Sequence, residues 1–341
     1  MRASMLIAAI ATALAPATVH AQDDYAAVLL QYLSGDADAA IERLLTLPYA
    51  EIGAGVQAFD ETRAPRILTG AAAMHTEAAL RRGEELGGQY HLRIATALVE
   101  FGDGARGTPN TTVRIQPRHA MPVSVEFRRL WYCTIVNRFE AGAMLPDADR
   151  YLARALILFP DNAELQLLAG VAAEMHAAPR ISAGSAGDRR RGLEQAEQHY
   201  RNVLAQEPDR LEARLRLGRV LVERDRPAEA RPLLQPLTTA ADDRLAYLAG
   251  LFLGGIEERG HHDEEASACY ERAAARLPLA QTALLSASEL HHRRGDRQWA
   301  AEAVSAAAGA RNEFDPWWTY LFGEYWRADL LIATVRTKRH A

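Results

Sequence analysis

Residues 254–278, GGIEERGHHDEEASACYERAAARLP, decide the fold. Gly254 carries no side chain, so a second helix can come close at that point. Ala266 is the small residue early in that second helix. Tyr270 is the large residue one turn on, Ala273 is small again, and Pro278 ends the unit. His261-His262 falls in the turn between the two helices. The same pattern recurs in phase. Ser288 follows Gly254 by 34 residues, and Ala300 follows Ala266 by 34. Val304 and Ala307 complete that copy over 281–314, with Asn312 where Pro would stand. Gly218, Ala230, Leu234 and Leu237 carry another over 211–244, and two extra residues near Asp242-Asp243 account for its spacing. Ala148, Leu152, Ala155 and Pro160 mark a first unit over 129–162. A fixed period of this length is the mark of stacked helix pairs.

A fifth copy is interrupted. Gly170 opens it, and Ala196, Tyr200, Val203 and Pro208 close it, with a surplus of 14 residues around 177–192. Pro179, Gly184, Gly187 and Arg189-Arg190-Arg191 read there as a surface loop. With these motifs, residues 129–314 resemble the tetratricopeptide repeat family. The resemblance implies an all-α, right-handed solenoid of antiparallel helix pairs. Its first helices would line a concave groove that holds a protein segment.

The N-terminal third is less regular. Tyr25 to Ser34 and Ala37 to Leu47 predict a hairpin about Gly35-Asp36, stopped by Pro48. Pro65 to Arg82 and Glu85 to Phe101 predict a second pair, and 102–122 a long loop. The organisation expected is therefore 22–122 as irregular helical hairpins, 123–314 as the solenoid, and 315–341 as an aromatic C-terminal cap. Asp315 suits a helix N-cap and Pro316 the first helical place. Trp317, Trp318, Leu321, Phe322, Tyr325 and Trp326 would cover the last repeat. This ending resembles that of exported bacterial tetratricopeptide proteins. Some of these are encoded beside von Willebrand A-type envelope proteins, which the resemblance implies as a partner.

Residues 1–21 read as a signal peptide. Arg2 precedes an apolar run from Met5 to Ala13, and Val19-His20-Ala21 suits cleavage before Gln22. A periplasmic or secreted protein is expected, with no membrane span after cleavage. The net charge of −5 argues against nucleic acid. Lys338 is the only lysine, so 38 of the 39 basic residues are Arg. Cys133 and Cys269 fall in different repeats and read as two separate buried thiols.

Catalytic chemistry is looked for without a match. The fingerprint spelled by Gly102, Gly104 and Gly107 lacks the strand and helix that dinucleotide binding needs. Ser185 lacks the strand of a nucleophile elbow. His261-His262 and His291-His292 show no zinc spacing. No catalytic residue, cofactor or metal is expected, which leaves the groove.

By motif phase the groove presents Asn137 and Glu140, then Leu167 and Glu174, then Leu215, Arg219 and Glu223. Leu251, Glu258 and Arg259 continue it, followed by Leu285, Glu289, His292 and Arg293. These do not form the Lys, Asn and Arg set of a carboxylate clamp. Mixed charge with Leu patches suits an extended or helical protein segment. The reading is a non-enzymatic adaptor that binds another protein. The rival is an enzyme or small-ligand binder built on 49–122.

Overall fold

The computed structural model describes residues 19–62, 65–83, 86–100, 123–179, 185–309, 315–322 and 328–339. Most of the expected signal peptide and the glycine-rich fingerprint lie outside the described residues. Among those described there is helix and no strand, and no helix is long and apolar enough to cross a membrane. The chain divides into two compact units. Unit 1 is residues 1–134 with 327–341, and unit 2 is residues 135–326.

Unit 1 contains α1 (Val19–Ser34), α2 (Ala37–Leu44), α3 (Tyr49–Thr62), α4 (Pro65–Arg82), α5 (Leu86–Glu100), the first part of α6 (Val125–Ala141) and α17 (Ala328–Thr337). Tyr25, Val28, Leu29, Tyr32 and Leu33 form a single buried stripe on α1 at helical spacing. α2 returns against it after Gly35, whose φ of +116° lies in the left-handed region that favours glycine. α4 is buried nearly all round, from Ile67 to Leu80, and pairs with α5.

Two features depart from expectation. Residues 49–62 form a helix, α3, and pack on α1 through buried Ile52 and Val56. Gly53 and Gly55, poor helix formers, hide it in the sequence. The C-terminal helix α17 packs on α4 rather than covering the last repeat. There Arg336 reaches the fully buried Glu77 from Nε at 3.0 Å and from Nη2 at 2.5 Å.

Unit 2 is a run of helix pairs. They are α6 with α7 (Leu145–Leu158), α8 (Ala163–Ala177) with α9 (Ala186–Gln206), and α10 (Leu211–Glu223) with α11 (Pro227–Leu234). α12 (Asp243–Arg259) with α13 (Asp263–Arg276) and α14 (Thr282–Arg293) with α15 (Arg297–Gly309) follow. The expected device sits in the pairs. A Cβ at Gly170 would fall inside the ring of Tyr200, and one at Gly254 inside that of Tyr270. Ala148, Ala196, Ala230 and Ala266 are each fully buried beneath the facing helix. Val304 is the exception, half-exposed on α15.

The turns inside the pairs repeat as well. Ala143, Asp225, His261 and Gly295 all have positive φ, between 55° and 90°. Each is followed by an amide that donates five residues back, as from His262 to the Glu257 carbonyl at 2.9 Å. This is the Schellman ending of a helix. The turns between pairs use Pro160, Pro208 and Pro278, and Phe159, Glu207 and Leu277 before them leave the helical region, with ψ between 62° and 81°.

The insertion differs from the expected loop. Residues 186–192 belong to α9, which starts at Ser185 with a capping box. Ser185 Oγ accepts from Asp188 N at 3.2 Å, and Asp188 Oδ2 accepts from Ser185 N at 2.8 Å. Residues 186–192 thus lengthen the second helix of the pair. The sequence carried this signal, a Ser with an acid three places on.

Candidate partner-binding groove

The first helices α8, α10 and α12 share one face, and the chain's own residues 315–322 lie on it. α16 (Pro316–Thr319) and a 3-10 turn (Tyr320–Phe322) make up this segment. Asp315 caps α16 through Trp317 N at 2.9 Å. The same carboxylate accepts from Thr282 N at 2.7 Å, Thr282 Oγ1 at 2.6 Å and Tyr247 Oη at 3.2 Å. Asp315 is therefore buried at 1 % exposure with every contact made by a donor.

Tyr320 is the second anchor. Its hydroxyl donates to Glu174 Oε1 at 3.0 Å, and its main-chain carbonyl accepts from Arg216 Nη2 at 2.9 Å. Its ring lies 4.6 Å from the Arg216 guanidinium and 4.9 Å from that of Arg219. Arg219 also sits 5.1 Å from the Trp317 ring. Phe252 of α12 meets Trp317 and Tyr320 edge-on. Burial and then the Glu174 carboxylate push the Tyr320 hydroxyl far above the usual phenol range, so it stays a donor.

Beneath the segment the charges balance. Arg216, 1 % exposed, donates from Nε to Glu212 at 2.7 Å and from Nη1 to Glu174 at 3.2 Å. Arg219 donates to Glu174 at 3.1 Å, and Tyr200 to Glu174 at 2.6 Å. These two guanidinium groups face two carboxylates, and Arg244 also donates to Glu212 at 2.5 Å, so each buried charge has an opposite partner. Beside the segment a hollow of about 330 Å³ remains open, lined among others by Pro179, Arg189, Glu223 and Trp317.

The predicted groove residues fall into three groups. Glu174 and Arg219 stand at the centre of the site. Glu223, Glu258, Arg259 and Arg293 tie neighbouring first helices together: Glu223 lies 3.9 Å from Arg259, Glu258 pairs with Arg293, and Arg259 donates to the Val222 carbonyl at 3.0 Å. Glu223 also pairs with Arg189. Asn137 and Glu140 are buried, and their Oδ1 and Oε1 atoms have no hydrogen-bond partner among the described residues. Glu289 and His292 are exposed. Arg216, Tyr247, Thr282 and Tyr320 escaped the sequence reading, and Asp315 was read only as a helix cap. The first three sit in the groove-lining helices, but their shared occupant lies as far as 104 residues away along the chain.

The histidines separate. His291 stacks on Trp299 at 3.8 Å, His262 faces Glu257 at 3.1 Å, and His261 holds a turn. No group of three or more His, Cys, Asp or Glu among the described residues is placed to hold a metal. Cys269 is buried, as expected, whereas Cys133 is only partly so.

Residues 193–251 match the tetratricopeptide repeat family model. The same packing device recurs in the helix pairs on either side of that stretch, so the described residues of unit 2 have a tetratricopeptide-like all-α fold. No curated protein matches it. Among solved structures it is similar to PilF of Pseudomonas aeruginosa, at 17 % identity over 62 % of this chain and 85 % of that one, TM-score 0.45. It is also similar to MamA from Desulfovibrio magneticus, at 22 % identity over 53 % and 93 %, TM-score 0.41. A third is YrrB, described as a repeat protein with an unusual peptide-binding site, at 17 % identity over 59 % and 88 %, TM-score 0.37.

Proposed function

We propose that this protein is a non-enzymatic adaptor of the cell envelope that holds a segment of another protein on the shared face of α8, α10 and α12. One observation carries the reading. That face already takes an eight-residue segment, 315–322, through a main-chain carbonyl, stacked rings and a carboxylate anchor. These are the contacts by which a protein segment is recognised. Tetratricopeptide repeats mediate protein–protein interaction in general, which supports the class. Residues 1–21, read as a signal peptide, support a periplasmic or secreted location. An envelope protein with a von Willebrand A-type domain is the first partner to test, on the resemblance of the chain's ending.

The test is cross-linking mass spectrometry on intact cells. One dominant partner is expected, with cross-links falling on α8, α10 and α12. A partner set that never touches these helices, or a consistent blank, refutes the reading.

A further inference from the structure

Residues 315–322 are not one of the helix pairs. α16 has four residues and the 3-10 turn three, too short to hold a helical form alone. Their conformation exists only on the groove. Asp315 and Tyr320, five residues apart, are both buried to 1 % exposure, while Trp318 between them is 46 % exposed. The groove therefore takes Asp315, Pro316, Tyr320 and Leu321 together with a backbone carbonyl, and leaves Trp318 half-exposed.

We propose that this segment is a resident ligand, and that a partner segment of the same chemistry displaces it. That chemistry is an acidic residue followed by Pro, an aromatic, and a tyrosine five places after the acid. This rests on the reading of the groove as a protein-segment site. Each polar groove group, donor or acceptor, faces one that such a segment restores. Thr282 and Tyr247 would receive its carboxylate, Arg216 its carbonyl, Glu174 its hydroxyl, and Arg216 with Arg219 its rings. A segment lacking the acid leaves the Thr282 amide and hydroxyl without their acceptor. A segment with Phe for Tyr leaves the Glu174 carboxylate one donor short. Selectivity follows from those two omissions. The resident copy lowers the apparent affinity of any competitor by the fraction of time it is seated.

The test uses the full chain and a labelled synthetic peptide of residues 313–322, EFDPWWTYLF. Asp315→Ala in the protein loosens the resident copy while leaving Arg216, Arg219 and Glu174 in place. The variant is expected to bind the peptide at least tenfold tighter than the unaltered chain. Peptides carrying Asp315→Ala or Tyr320→Phe should compete at least tenfold less well. Equal binding by the two proteins, or none by either, overturns the proposal.

Hydrogen exchange on the unaltered chain gives a second reading that needs no variant. Amides of 317–322 should exchange by an opening that leaves α12 protected and that does not respond to mild denaturant. Exchange of the segment only together with α12 would make it a fixed part of the fold and overturn the proposal. A cellular partner that cross-links to α8, α10 and α12 while the segment stays closed overturns the displacement and leaves the adaptor standing. Peptide exchange with no partner in cells does the reverse.

Discussion

At the scale of single residues, the repeat explains its own flaw. In two pairs a Gly under a Tyr ring lets that Tyr hydroxyl reach a Glu one turn further along the first helix. Tyr200 donates to Glu174 at 2.6 Å and Tyr270 to Glu258 at 2.7 Å. In the first pair Val136 stands where the Gly would be and Leu152 where the Tyr would be, so Glu140 keeps its place without its donor. Burial then pushes the Glu140 carboxyl well above the usual carboxylate range. The folded state holds that proton more tightly than the unfolded chain does. Its share of stability is full below about pH 4.5 and falls as pH rises toward the higher folded value. Glu140→Met removes the stranded oxygen and should stabilise unit 2 by about 1–2 kcal/mol at pH 7. It should also flatten the fall above pH 4.5 in a series of urea melts; an unchanged pH profile would exclude Glu140 as its source. The turns hold a simpler case. A side chain in the left-handed region costs roughly 1–2 kcal/mol, and His261 sits at φ 60°. His261→Gly should raise the unfolding free energy by about 1 kcal/mol, read as a higher urea midpoint with an unchanged slope.

At the scale of elements, α4 and α5 are joined by a buried chain of rings. The Tyr25 hydroxyl lies 2.9 Å from His75 Nε2, and His75 Nδ1 lies 2.9 Å from His91 Nδ1. If Tyr25 donates to His75, then His75 donates to His91, and both imidazoles are neutral. Burial lowers His75 well below its usual value, and lowers His91 to about 4. The unfolded chain takes up protons first, so this stability is full above about pH 6.5 and is lost as pH falls toward 4. His91 alone accounts for about 2 kcal/mol of that loss at pH 5. Hydrogen exchange should show α4 and α5 weakening between pH 7 and 5, and His75→Gln with His91→Asn should remove the dependence. The pair α4 with α5 was legible in the sequence, as α12 with α13 was, but the buried rings that join it and the helix α3 were not. Gly254, Ala266, Tyr270 and Ala273 announce their contacts because each contact is local and repeats. α3 carries two glycines that argue against the helix it forms, and only packing on α1 overrides them. The groove was legible as far as Glu174 and Arg219. The bond from Tyr320 to Glu174 crosses 146 residues, and no local signal in either stretch encodes it.

At the scale of the whole chain, the last residues do two separate jobs, and this splits the expected cap in two. Residues 315–322 serve unit 2, while α17 belongs to unit 1. On α17, Val335 is fully buried and Leu331 nearly so, and Arg336 joins Arg81 and Tyr32 around the buried Glu77 carboxylate. A chain stopped after residue 326 keeps the groove segment and loses all of this. Two buried apolar side chains alone are worth on the order of 3–6 kcal/mol, and Glu77 is left with two donors in place of three. Unit 1 should therefore lose at least 3 kcal/mol, roughly a hundredfold in the protection of α4 amides. Among the described residues, the ion pairs of α17 and of the turn that follows it go to Asp38, Glu77 and Glu126, all in unit 1. Protection of α12 should accordingly hold within twofold in the shortened chain. The two sets of amides are read in one hydrogen-exchange experiment, so each is the control for the other. An equal fall in both would mean that the units unfold together. An unchanged α4 would mean that α17 adds little to unit 1 beyond its contacts in the folded state.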